Sequence, residues 1–260
     1  MVEINKTICT GCGQCIDDCI ARNLVLKDGR AEAAGRCILC GHCVAICPSR
    51  AVSIPEYDME DVEETAAGEA APDRDRLLRA IKFRRSIRSF RPEPVGDEAL
   101  DSLLQAGRYT ATAKNTQGCR FIFVQKELDT FKSMIWDGIG QILHSQDPAP
   151  ARAYRSFYRE HRADPRQDYL FRNAPAVLFI ASDNTIDAGL AAQNIELMGI
   201  SLGLGLLYNG YLLRAADMSA EARAWLGAGD KPLQACALLG YPAVTYKRTA
   251  PRRKADVVFH

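Results

Sequence analysis

The chain has 260 residues, a formal net charge of +1, 47% hydrophobic residues and 25% charged residues. These proportions are those of an ordinary globular protein, and the length suits a small domain joined to a medium one. A charge so near zero argues against a dedicated nucleic-acid binder, and no apolar run approaches the length that crosses a bilayer. Neither a nucleic-acid partner nor a membrane partner is expected.

The N-terminal residues 1–57 hold eight of the ten cysteines in two runs of one spacing: Cys9-x2-Cys12-x2-Cys15-x3-Cys19 and Cys37-x2-Cys40-x2-Cys43-x3-Cys47-Pro48. That is the bacterial pattern for a pair of [4Fe-4S] clusters. The first three cysteines of a run wrap one face of a cluster, and the fourth turns away to ligate the other. The spacing therefore assigns Cys9, Cys12, Cys15 and Cys47 to one cluster, and Cys37, Cys40, Cys43 and Cys19 to the second. Disulfides would need an oxidising compartment, and the opening residues carry nothing like a signal peptide; a cytoplasmic location suits thiolate ligands. Zinc sites use paired CxxC motifs and need no third and fourth cysteine in tight register. Gly13 and Gly41 fall at matching places in the two runs. Short strands are expected at Leu24–Leu26, before the Asp28-Gly29 turn, and at Val52–Ile54. So small a segment has little core, and metal must supply much of its folding free energy. His42, between Cys40 and Cys43, is expected on the surface of its loop.

Residues 58–73 are acidic and alanine-rich without an apolar period, which reads as a linker. Residues 74–260 then show the periodicities of a larger unit mixing helices and strands. Leu77, Leu78 and Ile81 recur at helical spacing ahead of the basic cluster Arg84-Arg85-Ser86-Ile87-Arg88. Asp97 is placed to cap a helix carrying Leu100, Leu103 and Leu104. Phe121–Val124, Ala176–Ile180 and Leu233–Leu239 read as buried strands, and Ile186–Met198 as a long apolar helix. A polar, Arg- and Tyr-rich excursion at 148–168 is expected to form a lid or a partner-facing insertion. Cys119 and Cys236 read as small buried hydrophobes. His144, His161 and His260 show no pattern of partners and receive no acid–base role.

Taken alone, Arg84–Arg88 is a basic patch following a helix. Three further features stand with it: Thr112-Ala113-Lys114-Asn115-Thr116-Gln117, the glycine-flanked Gly203-Leu204-Gly205 whose backbone a ligand can approach, and a tail from Tyr246 holding Arg248, Arg252 and Arg253. With the helix 187–194 and the Leu239-Gly240-Tyr241-Pro242 segment, these elements resemble the nitroreductase family of flavin enzymes over roughly residues 74–260. The N-terminal segment resembles a two-cluster ferredoxin domain, and fusions of the two form a subgroup of that family. The expected fold class is thus α+β, a small ferredoxin-like two-cluster domain followed by a nitroreductase-type FMN domain.

The resemblance implies non-covalent FMN at the interface of a homodimer. Arg84, Arg85, Ser86 and Arg88 match positions holding the FMN phosphate, ribityl chain and pyrimidine edge, where guanidinium forks suit the chemistry. Thr112, Asn115 and Gln117 match positions facing the isoalloxazine, Leu204 and Gly205 a backbone stretch beside it, and Arg252 is favoured to complete the phosphate site. Gly118 and Cys119 stand where the family often has proline and tryptophan, and Ala111 replaces a frequent proline. No catalytic side chain is expected, because the flavin carries the chemistry. The implied activity is an FMN-dependent oxidoreductase that receives electrons through two [4Fe-4S] clusters and reduces a small flat acceptor, nitroaromatic or quinone-like. Two alternatives stay open: an NAD(P)H-oxidising flavoprotein exporting electrons through its clusters, and a non-catalytic electron carrier. The redox donor is accordingly a ferredoxin or NAD(P)H.

Overall fold

Two units make up the structure, a computed structural model that describes residues 1–66 and 68–260. The first comprises Met1–Pro72 and the short segment Ala113–Thr116; the second comprises Asp73–Thr112 and Gln117–His260.

The first unit is a repeat in space as well as in sequence. It runs β1 (Glu3–Ile4), α1 (Gln14–Asp17), β2 (Leu24–Lys27), β3 (Arg30–Ala33), α2 (His42–Ala45) and β4 (Val52–Ser53). Strand β1 pairs antiparallel with β4, and β2 with β3 across the Asp28-Gly29 turn. Both one-turn helices start from a left-handed glycine, Gly13 at φ 79° and Gly41 at φ 77°, a conformation that a Cβ penalises. The core is small: Val2, Leu24, Ala31, Ala51, Val52 and Ile54 pack with the buried thiols of Cys9, Cys15 and Cys43. Beyond β4, Met59–Asp61 forms one 3-10 turn with Asp58 accepting from Glu60 N. Ala67, within the segment expected to be a linker, lies outside the described residues.

The second unit contains α3 (Arg74–Phe83), α4 (Asp97–Arg108), β5 (Arg120–Val124), α5 (Leu128–Leu143), α6 (Arg155–Ala163), β6 (Ala176–Ala181), α7 (Thr185–Ser201), β7 (Gly205–Tyr208), α8 (Gly210–Met218), α9 (Ala220–Trp225) and β8 (Leu233–Gly240). Its antiparallel sheet has the order β5-β6-β8-β7. Strand β6 is buried on both faces because its side chains alternate. Ala176, Leu178 and Ile180 pack with Leu103 of α4 and Ala188, Ala191 and Ile195 of α7. Val177, Phe179 and Ala181 pack with Phe131 and Ile135 of α5 and Leu212 of α8.

Two expectations, for Asp97 and His161, need correction. Asp97 is not the cap: Gly96 takes that position with extended backbone, and the Asp97 carboxylate lies in the first turn, where the helix dipole favours it. The excursion at 148–168 carries α6, none of whose residues is buried, while Ala151 and Tyr154 just ahead of it are buried and the Tyr154 hydroxyl donates to Tyr211 O at 2.8 Å. His161 does have a partner: its ring stacks on Trp136 at 4.2 Å and 8°. Among the described residues no helix is long and apolar enough to cross a membrane.

Candidate functional site

In the first unit all eight run cysteines are free thiols, and they gather across the repeat. One cavity is lined by Cys37, Cys40 and Cys43 of the second run together with Cys19 of the first. On the other side Cys15 feels the charges of Cys47, Cys12 and Cys9. Burial chiefly, and then those thiolates, pushes the Cys15 thiol up; burial, with Cys37 and Cys40 alongside, pushes Cys43 up to about 11. Among the described residues no three His, Cys, Asp or Glu side chains are arranged to hold a single metal ion.

Backbone N–H groups already point at the sulfurs. Asn23 N donates to Cys19 Sγ at 3.3 Å, Leu39 N to Cys37 Sγ at 3.2 Å and Ala51 N to Cys47 Sγ at 3.2 Å. Burial raises the Cys47 thiol, but the N–H groups of Ala51, Ser49 and Val52 and the Ser49 hydroxyl outweigh it and leave the thiol below its ordinary value. Such donors favour the thiolate, the form that ligates iron. The residues present therefore fit two polynuclear clusters. His42, as expected, is exposed, with Nδ1 2.9 Å from Asp18 Oδ2.

In the second unit the basic cluster, the strand after Gly203 and the end of β8 come together. Ile87 N donates to Leu206 O at 3.0 Å, Arg91 N to Tyr241 O at 2.8 Å, and Ala243 N to Ser89 O at 3.0 Å. Arg85 Nη2 reaches Arg248 O at 3.4 Å and its Nη1 reaches Lys82 O at 3.1 Å. Ser86 is half-buried and Arg88 exposed. Ile87 between them is the buried anchor that fixes the segment.

Arg84 has a partner that sequence reasoning missed. Its Nη1 donates at 3.1 Å to Glu196 Oε1, and the Glu196 side chain is only 3% exposed. Gln193 Nε2 approaches the other carboxylate oxygen at 3.4 Å. A glutamate inside the largely apolar α7 was the available signal, since a buried carboxylate requires a cation or donors.

Gly203, Leu204 and Gly205 have packing roles of their own. Gly203, at φ 73°, closes α7, and Leu204 N donates to Gly199 O at 2.7 Å. A Cβ on Gly205 would lie 2.2 Å from Ile87 Cγ1, so the glycine admits the anchor of the basic cluster. Leu204 is buried.

The segment around Asn115 is held in unusual backbone. Lys114, Asn115 and Gln117 all have φ near +50°, at 55°, 53° and 48°, each costing on the order of 1 kcal/mol or more. Gln117 N donates to Thr112 Oγ1 at 2.9 Å. Asn115 falls in the first unit, where its Nδ2 donates to Leu39 O at 2.8 Å. Arg252 is exposed and its Nη1 donates to the neighbouring Pro251 O at 3.2 Å; of the tail arginines, Arg248 is the one whose carbonyl meets Arg85. Cys236 is buried in β8; Cys119 is half-buried against the α4/α7 core.

Comparison with known proteins places this geometry. Residues 81–241, more than half of the chain, match the nitroreductase family. The chain belongs to that family. With this membership it is an oxidoreductase, and residues 8–52 of this nitroreductase-family chain match the 4Fe-4S dicluster domain. The α+β fold agrees with solved structures. A nitroreductase with bound FMN from Bacteroides fragilis is 22% identical, with a TM-score of 0.56 over 70% of this chain and 98% of that one. A nitroreductase with bound FMN from Desulfitobacterium hafniense is 24% identical, with a TM-score of 0.56 over 70% and 97%. A Staphylococcus aureus protein named NADPH-dependent oxidoreductase is 26% identical over 189 residues, 72% of this chain and 73% of that one.

Proposed function

We propose that this chain is an FMN-dependent oxidoreductase that takes in electrons through two [4Fe-4S] clusters and delivers them to a small flat acceptor of the nitroaromatic or quinone type. The observation that carries the reading is the joining, in one chain, of a dicluster domain at 8–52 to a nitroreductase domain at 81–241. Cys9, Cys12, Cys15 and Cys47 hold one cluster, and Cys37, Cys40, Cys43 and Cys19 the other; the crossed neighbourhoods of Cys15 and of Cys19 support this assignment. Clusters transfer single electrons, and a flavin links such carriers to acceptors that take two.

The protein's own contribution is to bind and orient. Arg85, Ser86, Arg88 and Arg252 supply the donors for the FMN phosphate and ribityl chain, with Arg84 fixed as a rigid fork by Glu196. Thr112, Asn115 and Gln117 contact the flavin ring, and their strained segment is consistent with a loop held for ligand contact. Leu204 and Gly205 form the wall beside it. The working form is a homodimer in the cytoplasm. Leu77, Leu78 and Ile81 of α3, Ile186 of α7 and Phe259 of the tail are exposed apolar side chains of the kind that a second copy would cover.

A second reading keeps the fold and reverses the current: a nicotinamide reduces FMN and the clusters export electrons. The name of the Staphylococcus aureus relative, NADPH-dependent oxidoreductase, favours NADPH as that donor. An anaerobic single-turnover screen of acceptors tests the enzyme reading. An enzyme reoxidises with nitroaromatics or quinones; oxidation by protein partners alone, with small molecules untouched, would leave only an electron carrier.

A further inference from the structure

The backbones of the two halves of the first unit match after the fourth cysteine of each run. Arg22 N donates to Cys19 O at 2.9 Å, and Arg50 N to Cys47 O at 3.2 Å; both arginines are left-handed, at φ 50° and 53°. The next residue in each half donates its backbone N–H to the cysteine sulfur, Asn23 to Cys19 at 3.3 Å and Ala51 to Cys47 at 3.2 Å. At that position one half carries an amide side chain and the other a methyl group; two residues earlier the second half has Ser49, its hydroxyl 3.7 Å from Cys47 Sγ, where the first has Ala21.

Asn23 is 1% exposed, and three of its four polar groups are accounted for. Its N–H serves Cys19, its carbonyl accepts from Ala34 N at 2.7 Å, and its Oδ1 accepts from Gly35 N at 2.8 Å. The fourth, Nδ2, is buried with no hydrogen-bond partner among the described residues. A buried orphan donor costs roughly 1–3 kcal/mol, which makes an amide here a poor choice for packing alone when alanine fills the equivalent place. Asn23 also lines the cavity formed by Cys19, Cys37, Cys40 and Cys43. The acceptors that belong in that cavity are sulfurs, the four thiolates and the sulfides of the cluster they hold.

We propose that Asn23 Nδ2 donates a hydrogen bond to the cluster held by Cys37, Cys40, Cys43 and Cys19, and that this bond raises the reduction potential of that cluster and not of its twin. The inference rests on the two-cluster reading above. A donor aimed at sulfur stabilises the more negatively charged, reduced form, and no side chain at Ala51 can do the same for the other cluster. Asn23 is thus a potential-setting residue, acting on the distribution of electrons within the pair.

The test is an EPR-monitored redox titration of the full-length, cluster-loaded protein, with iron and sulfide counted first. Asn23→Ala installs the residue already present in the other half. Asn23→Asp keeps the Oδ1 acceptor for Gly35 N but loses the Nδ2 donor. Both variants are expected to lower one midpoint and leave the second in place. At the wild-type midpoint the reduced-to-oxidised ratio of that cluster should fall on the order of fivefold, about 40 mV at roughly 59 mV per decade for one electron. Two loaded clusters with unchanged midpoints in both variants, or with both midpoints moved equally, would overturn the role given to Asn23. A wild-type protein that takes up fewer than two clusters would overturn the two-cluster reading, and the proposal with it.

Discussion

Glu196 and Arg84 illustrate how much a single buried charge constrains the site. A carboxylate taken out of water is tolerated because a guanidinium stands 3.1 Å away, and removing one partner of such a pair is far more damaging than removing both charges. Arg84→Ala should lower the stability of the second unit by about 3 kcal/mol, and adding Glu196→Gln should recover part of that loss. Urea unfolding followed by the fluorescence of Trp136 and Trp225, both in that unit, reads the change. His161 gives the molecule a pH dependence. Burial is the largest influence on its imidazole and holds it below the ordinary value; Arg162 and Lys132 act with burial, and Asp168 acts against it. The unfolded chain then binds a proton near pH ~6.5 that the folded chain resists, so stability is present above that pH and is lost as the pH falls below it. His161→Gln should flatten the loss of melting temperature between about pH 7.5 and pH 5.5; an acid limb as steep as wild type would sink this assignment. At this scale the cysteine spacing was fully legible, because iron ligation demands a fixed pattern along the chain. The partners of Arg84 and His161 were not, because they come from residues far away in sequence.

Elements differ in how plainly they announce themselves. The strands at 120–124, 176–181 and 233–240 were visible as short apolar runs, and β6 needed no alternation because helices cover both its faces. Helices α5 and α8 went unread, since their apolar residues serve a core whose other wall comes from distant strands. Gly205 shows how a motif can be noticed for one reason and required for another. Its missing Cβ admits Ile87, which pins the basic segment to β7. Gly205→Ala should therefore destabilise the second unit by about 1–3 kcal/mol through overpacking. It should also loosen flavin retention by displacing Arg85 and Ser86, measured as FMN kept through gel filtration. Full stability with full flavin content would contradict the anchoring role. The excursion at 148–168 reads as a lid or partner-facing insertion by polarity; Tyr154 and Ala151, at its start, are held in the core.

For the whole molecule, the two units differ in what holds them together. The second has a sheet buried between helices; the first has a handful of apolar side chains, a core so small that its metal is expected to supply much of its folding free energy. The second also leaves apolar side chains outside, with Ile186 71% and Phe259 92% exposed. Sedimentation should find a dimer, and Leu78→Glu with Ile81→Glu should shift it towards monomer and lower its flavin content; a monomeric wild type that retains FMN would contradict the dimer. The order of domains was legible from composition and motif, whereas an exposed apolar face is not distinguishable in sequence from a core face. Inward flow of electrons from clusters to flavin is tested by anaerobic rapid mixing of the loaded protein with reduced ferredoxin or with NADPH, following flavin and cluster absorbance together. Inward flow predicts fast flavin bleaching by ferredoxin that is abolished in a cluster-deficient Cys37→Ser variant. Fast bleaching by NADPH, with the clusters reduced only afterwards, would contradict it and make the N-terminal unit the exit.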